Sequence, residues 1–303
     1  MSITAYNIKK WTRMCLGKSI LHVDQGEGKI YSIEEIKGYY NDLTEKVTKL
    51  QEIGKNNLPF LNTEDGRKIE FPIQIFQYGL GAYDLYLINQ DESMLEKFYC
   101  SVNWAIENQG NNGEWNSFGY KYPDAPYSSM AQGEGASLLL RAYVETKKDL
   151  YLNAAKKALE FMLISNKDGG TAWYRDNEIF LLEYACQPVI LNGWIFSIFG
   201  LIDYLKISPN DEYIKNKYEA TLQSLENNLK HYDKKFWSMY DIKDRIASPF
   251  YHKVHINQLK VLYKITNREI FNEYSKKFER YKNNIFFRAK ALMIKIMQKI
   301  KEK

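Results

Sequence analysis

Apolar residues recur at the three-and-four spacing of a single helix face in ten successive stretches of this chain, roughly 33–51, 71–89, 91–109, 128–146, 148–165, 190–206, 210–230, 254–266, 268–282 and 285–302. Several of these are separated by only a few residues, as between 128–146 and 148–165 or between 254–266 and 268–282. Connections so short force the two helices to lie antiparallel. Repeated helical hairpins predict a bundle or a closed α/α toroid, and because the sequence does not repeat at a fixed period a solenoid is not expected. A short β-hairpin is expected over 20–31, where Leu21–Asp24 and Gly28–Tyr31 flank Gln25-Gly26-Glu27. The stretch 128–146 mixes Met130, Leu138, Leu139 and Tyr143 with Ala131, Gly133, Gly135, Ala136 and Ser137, so another backbone or a ligand can approach it closely.

Three connections are too rich in side-chain chemistry to be plain links. Residues 110–127 contain Trp115, Tyr120, Tyr122 and Tyr127; 166–189 contain Trp173, Tyr174, Arg175, Glu183 and Tyr184; 231–253 contain Trp237, Tyr240 and Tyr251. Long loops of this kind beside helical hairpins commonly build a cleft, although aromatics there also serve to cap a core. Aromatic faces with polar neighbours suit sugars, whose C–H faces stack while their hydroxyls seek partners. The segment from Tyr251 to Gln258 also gathers two of the chain's four histidines, His252 and His255, with Asn257. It reads either as a convergent polar site or as a satisfied structural network.

Charge and cysteine content narrow the partners. The formal net charge is +5, and residues 285–303, with six cations against the single acid Glu302, hold all of it, so the body is balanced and no nucleic-acid partner is expected. Cys15, Cys100 and Cys186 are isolated thiols, which predicts neither a disulfide framework nor a zinc site. With no apolar run of signal-peptide or membrane-span length, a cytoplasmic setting is expected, with the basic tail suited to peripheral contact with the inner membrane.

In chain order, the pieces Phe71-Pro72-Ile73-Gln74-Ile75, Gln77-Tyr78-Gly79-Leu80, Asn108-Gln109 with Gly113 and Trp115, Tyr127-Ser128 with Met130-Ala131-Gln132-Gly133, Arg141-Ala142-Tyr143, Glu183-Tyr184, Leu191-Asn192-Gly193, Tyr240-Asp241, and Tyr251-His252 with His255-Ile256-Asn257-Gln258-Leu259 resemble the C-terminal catalytic region of the D-glucuronyl C5-epimerases, which convert D-glucuronate to L-iduronate within heparosan and heparan sulfate. The resemblance covers roughly 71–283 and lacks the β-rich insertion of the animal enzymes, as a compact bacterial-type member would. It implies an incomplete α/α barrel of antiparallel helix pairs. The expected organisation is an extension over 1–70 with the hairpin and first helix, a catalytic domain over 71–284, and a basic amphipathic helix over 285–303.

The implied activity inverts C5 of a uronate by removing a proton beside the carboxylate and returning one from the other face. It needs no redox cofactor and no metal. The site must neutralise the carboxylate and place an acid/base group on each face. The resemblance places the catalytic groups on Tyr184, Tyr240 and Tyr251, with Glu183 beside the first. It places the carboxylate-binding cation on Lys243 or Arg245, with Arg175 as a weaker candidate. Gln132, Trp115, Asn192, His252, His255 and Asn257 are expected to contact sugar or support those that do, and Glu134 either faces the cleft or caps helices. The implied partner is a glucuronate-containing polysaccharide, with a homodimer by family analogy. The basic last helix suits peripheral membrane contact or packing against protein. A uronate lyase or glycoside hydrolase on the same fold is the rival enzyme class, with Glu134, Glu183 and Asp241 available as carboxylates, and a non-catalytic glycan-binding protein is the rival outside it.

Overall fold

A computed structural model describes residues 23–49, 52–54, 56–63 and 66–301. Ten α-helices and two small hairpins are present among them: α1 (Thr44–Thr48), β1 (Leu61–Asn62), β2 (Lys68–Ile69), α2 (Pro72–Asn89), α3 (Glu92–Glu107), α4 (Ser129–Thr146), α5 (Asp149–Met162), β3 (Ala172–Arg175), β4 (Glu178–Leu181), α6 (Leu191–Ile207), α7 (Glu212–Asn228), α8 (Pro249–Thr266), α9 (Glu269–Asn283) and α10 (Ile285–Lys301). The chain forms two compact units. The larger comprises 28–189 and 193–225, and the smaller comprises 190–192, 226–301 and the described part of 1–27.

Local chemistry sets the helix ends. Ser128 accepts from the Ala131 amide to start α4, Asp91 accepts from Ser93 to start α3, and Pro72 and Pro249 stand in the first turns of α2 and α8, where no backbone donor is missed. Antiparallel packing follows the short connections: α2 with α3, α4 with α5, and α8 with α9. In the larger unit α4 is buried along its length from Ser129 to Ala142. It meets α6 at Gly133 and Gly200, where a β-carbon on Gly200 would come within 2.6 Å of the Gly133 backbone. Glycine at that crossing allows two backbones to touch.

Two expectations about the first seventy residues fail. The helix over 33–51 shrinks to α1, because the preceding backbone is recruited elsewhere: the Gly38 carbonyl accepts from Arg141 Nη2 (2.9 Å) and the Tyr39 amide donates to Asp84 Oδ1 (2.8 Å). Tertiary bonds of buried charged groups outweigh helix propensity here. Of the hairpin expected over 20–31, the first three residues lie outside the described residues, and the remainder forms no strand, the Gly28 amide instead donating to the Tyr40 carbonyl (2.8 Å). The substantial hairpin is β3–β4, whose register runs from Ala172 opposite Leu181 to Arg175 opposite Glu178. Its two-residue turn, Asp176-Asn177, takes a positive φ at Asp176, the turn chemistry that joins adjacent antiparallel strands.

Candidate active site

In the smaller unit the loop 233–248 and the first turns of α8 bring two of the three sequence-predicted tyrosines, Tyr240 and Tyr251, together. The Tyr240 and Tyr251 rings lie with centroids 4.8 Å apart, inclined by 54°, and both side chains are partly exposed. Tyr251 is held there because α8 begins earlier than its apolar period suggests, with Ser248 accepting from the Tyr251 amide and Pro249 opening the helix. Two cations stand over Tyr240: the guanidinium carbon of Arg245 at 5.2 Å from the ring centroid and the ammonium of Lys295 at 5.8 Å. Lys295 comes from α10 and donates to the Ile246 carbonyl (2.8 Å).

Asp241 organises this loop and is itself almost fully buried. Its Oδ1 accepts from the amides of Lys243 (3.0 Å), Asp244 (3.1 Å) and Arg245 (3.2 Å), while Oδ2 takes the Arg245 Nε–H. This carboxylate folds the turn and aims Arg245 at Tyr240. Lys243 is exposed, and only its backbone joins the arrangement.

Of the two roles expected of the histidines, contacting sugar or supporting the residues that do, their burial fits the supporting one. Both are completely buried, and both meet Ser238. The Ser238 amide donates to His252 Nδ1 (3.2 Å) and His252 Nε2 lies 2.9 Å from the Phe278 carbonyl, so the imidazole is neutral with its proton on Nε2. Ser238 Oγ then bridges His252 Nδ1 (2.7 Å) and His255 Nδ1 (2.9 Å). Burial pushes the His252 pKa down to about 3, and burial with the neighbouring imidazole holds His255 well below its ordinary value. Trp237 stacks on His252 with centroids 3.7 Å apart. This is a support beneath the loop carrying Tyr240. Asn257 donates to the Gln25 carbonyl (3.2 Å), beside the Lys253–Asp24 and Lys264–Glu27 ion pairs, and so ties residues 24–27 to α8. Asn192 is buried, and its carbonyl accepts from Gln258 (3.2 Å).

In the larger unit Glu183 and Tyr184 follow directly on β4. The Leu182 carbonyl accepts from the Ser129 amide at the head of α4 (2.9 Å), which fixes the segment. Tyr184 is partly exposed and stacks on Phe118, centroids 4.1 Å apart and planes within 26°, with Tyr122 edge-on at 5.9 Å. Glu183 is buried, and its carboxylate lies where a β-carbon on Gly193 would sit, 2.4 Å from Oε2. Glycine at 193 is what admits the acid.

A second buried carboxyl, Glu134, lies within electrostatic reach of Glu183. It accepts from Gln77 Nε2 at Oε1 (2.9 Å), and its Oε2 has no hydrogen-bond partner among the described residues. Burial raises its pKa to about 8, Glu183 adds to the rise, and Gln77 and Lys46 oppose it. Lys46 exposes part of its stem but encloses its ammonium, and burial lowers its pKa to about 8 against the pull of Glu134.

Three other expected site residues sit elsewhere. Trp115 is fully buried, its indole N–H donating to the Ala105 carbonyl (2.9 Å) and its ring packed edge-on against Phe76. Gln132 spends its whole amide on the frame, accepting from the Trp115 amide (3.0 Å) and donating to the carbonyls of Gly113 (2.7 Å) and Ala158 (3.1 Å). Arg175 pairs with Glu178 at the turn end of β3–β4, and five extended residues beyond Glu178 place Glu183 roughly 15 Å along the chain from it. Lys295 is the group that sequence reasoning did not assign, and for Glu134 it left open whether the side chain faces the cleft or caps helices. Lys295 fell in a stretch outside the resemblance, and burial was the signal missing for Glu134. Among the described residues no three His, Cys, Asp or Glu side chains converge as a metal site would require.

Comparison with solved structures defines the class. Cellobiose 2-epimerase from Spirochaeta thermophila matches 78% of this chain and 65% of its own, with a TM-score of 0.52 at 9% identity. That likeness gives the fold as an α/α toroid. The chain belongs to the family described as D-glucuronyl C5-epimerase C-terminus, whose family model matches residues 104–280. The D-glucuronyl C5-epimerase of Caenorhabditis elegans is 31% identical over 204 residues, 58% of this chain and 33% of the worm protein. Uncharacterized protein MJ1128 of Methanocaldococcus jannaschii is 28% identical over 156 residues, 50% of each chain. The chain thus spans between a third and a half of these curated relatives.

Proposed function

We propose that this protein is a polysaccharide uronate C5-epimerase that converts D-glucuronate to L-iduronate within a heparosan-like chain. The observation that carries the reading is the contact pair Tyr240–Tyr251 with Arg245 and Lys295 over the Tyr240 ring, in a chain of this family.

The hydrogen on C5 is weakly acidic, and losing it puts an electron pair into the adjacent carboxylate. Positive charge at that carboxylate lowers the barrier, and a base and an acid on opposite faces complete the inversion. A phenol, with an ordinary pKa near 10, works as such a base when cations stand beside it. We assign the acid/base work to Tyr184 with Glu183 and to Tyr240 with Tyr251. Arg245 is the preferred carboxylate clamp: a guanidinium has five N–H donors, so the bond from Nε to Asp241 is compatible with a second carboxylate. Lys295 adds a second positive charge near the Tyr240 ring.

The test is incubation with heparosan in deuterated water, followed by NMR and chain-length analysis. Deuterium at C5 of uronates in chains of unchanged length is the expected result. Shortened chains with an ultraviolet-absorbing unsaturated end would make the protein a lyase, and shortened chains without it a hydrolase. Unchanged heparosan that still binds the protein would make it a glycan-binding module.

A further inference from the structure

Helix α10 has two apolar faces, and only one is used. Facing inward, Phe287 packs against Phe236 and Tyr281 with centroids 6.4 and 5.7 Å apart, Ala291 is buried, Lys295 donates to the Ile246 carbonyl, and Gln298 accepts from the Ile246 amide (3.1 Å) while donating to the Asp244 carbonyl (2.6 Å). Those positions, spaced by four, four and three, fix the rotation of the helix about its axis. On the opposite side Phe286, Met293, Met297 and Ile300 recur at seven, four and three, with exposures of 80%, 60%, 53% and 46%. Ile285, at the first turn, is 72% exposed.

This concentration is unlike the rest of the surface. Of the eleven large apolar side chains exposed among the described residues, five are on α10, and the other six, such as Ile88 and Leu150, are at least eleven residues apart along the chain. Isolated exposed hydrophobics need no explanation, whereas a contiguous stripe does. The helix also carries Arg288, Lys290, Lys295, Lys299 and Lys301 and no acidic residue. Arg288, Lys290 and Lys301 are exposed, and Lys290 also stands 4.3 Å over the Phe236 ring.

We propose that the outward face of α10 is a docking surface for an anionic lipid membrane, with Phe286, Met293, Met297 and Ile300 entering the headgroup boundary and Lys290 and Lys301, which flank that stripe, meeting lipid phosphates. Charge selects this occupant. A second copy docked symmetrically on the same face would bring these cations against their own counterparts, with no carboxylate on the helix to neutralise them. An anionic headgroup layer supplies the opposite charge, and its acyl boundary accepts the apolar stripe. The helix lies on the surface and does not cross it: no helix among the described residues is long and apolar enough to span. The proposal is independent of the epimerase reading, since vesicle binding requires no glycan.

The experiment is sedimentation of the full chain with vesicles of phosphatidylcholine mixed equally with phosphatidylglycerol, beside vesicles of phosphatidylcholine alone. Partition onto the mixed vesicles is expected to be at least about tenfold greater. A Phe286→Ser, Met293→Ser, Met297→Ser triple variant, and separately a Lys290→Glu, Lys301→Glu double variant, each lower that partition by about tenfold or more, with circular dichroism and melting temperature as in the native chain. The double variant alters only exposed charges and decides the matter if the triple variant fails to fold. Equal pelleting on both vesicles, or retention of binding by a folded variant of either kind, overturns the proposal. So does a native chain that stays in the supernatant as a dimer, which the triple variant converts to monomer.

Discussion

Two buried polar centres lie two turns apart along α4, and they are built on opposite principles. At Arg141 the guanidinium donates to Asp203 Oδ2 (2.7 Å), the Ser137 carbonyl (2.8 Å) and the Gly38 carbonyl (2.9 Å), and Asp203 also accepts from the Tyr40 hydroxyl (2.7 Å). Charge meets opposite charge at contact distance. At Glu134 one carboxyl oxygen is bonded to a neutral amide and the other to nothing among the described residues, with Lys46 and Glu183 in reach but not in contact. The first centre folds the leading segment onto the helix. The second keeps a titratable group in suspense beside Glu183, the neighbour of Tyr184. A buried charge paired with its opposite at contact distance marks architecture, and a buried carboxyl without such a partner marks a place where protonation state has consequences.

The contrast can be broken first at the ion-paired end. Arg141→Met leaves Asp203 buried without its cation and should cost about 3–5 kcal/mol in urea unfolding; a loss below about 1 kcal/mol would remove the distinction. Gln132→Ala strands three buried backbone partners and should cost about 2–4 kcal/mol by the same measurement. Glu134→Gln keeps the Gln77 contact, and its effect appears only with pH. Because the native carboxyl holds its proton up to about pH 8 while the unfolded one releases it near 4.5, stability is complete below the lower value and falls as pH rises between them. The variant should therefore match the wild type in acid and exceed it by about 5 kcal/mol above the upper value. Asp84, raised by burial to about 7, adds a slope of the same sign that persists in the variant. Arg175→Ala, at an exposed ion pair on the hairpin tip, should change stability by less than about 0.5 kcal/mol and leave C5 exchange intact.

Burial and contact explain what sequence could and could not convey. The helices from α2 onward were legible because apolar residues recur in each at the three-and-four spacing, and most have a cap or a proline at the start. The segment 33–43 was not, since its conformation is set by Asp84 and Arg141, far along the chain. Hairpin β3–β4 hid inside what reads as an aromatic loop, although Asp176-Asn177 between alternating residues is a hairpin turn signal. Tyr240, Tyr251 and Arg245 were named from motifs, and the structure brings them together. His252, His255, Trp115 and Gln132 shared those motifs for a different reason: they are the frame, and a motif does not distinguish a frame from a site. Lys295 was invisible as a site residue because its stretch reads as a charged amphipathic helix, and only the docking of α10 carries that ammonium to Tyr240.

Exchange of the C5 hydrogen for deuterium on heparosan, compared among the native chain, Tyr184→Phe and Tyr251→Phe, tests the tyrosine chemistry directly. Each hydroxyl removed should slow exchange by about 10²-fold or more, with glycan affinity retained. Exchange at the native rate in both variants would contradict the account.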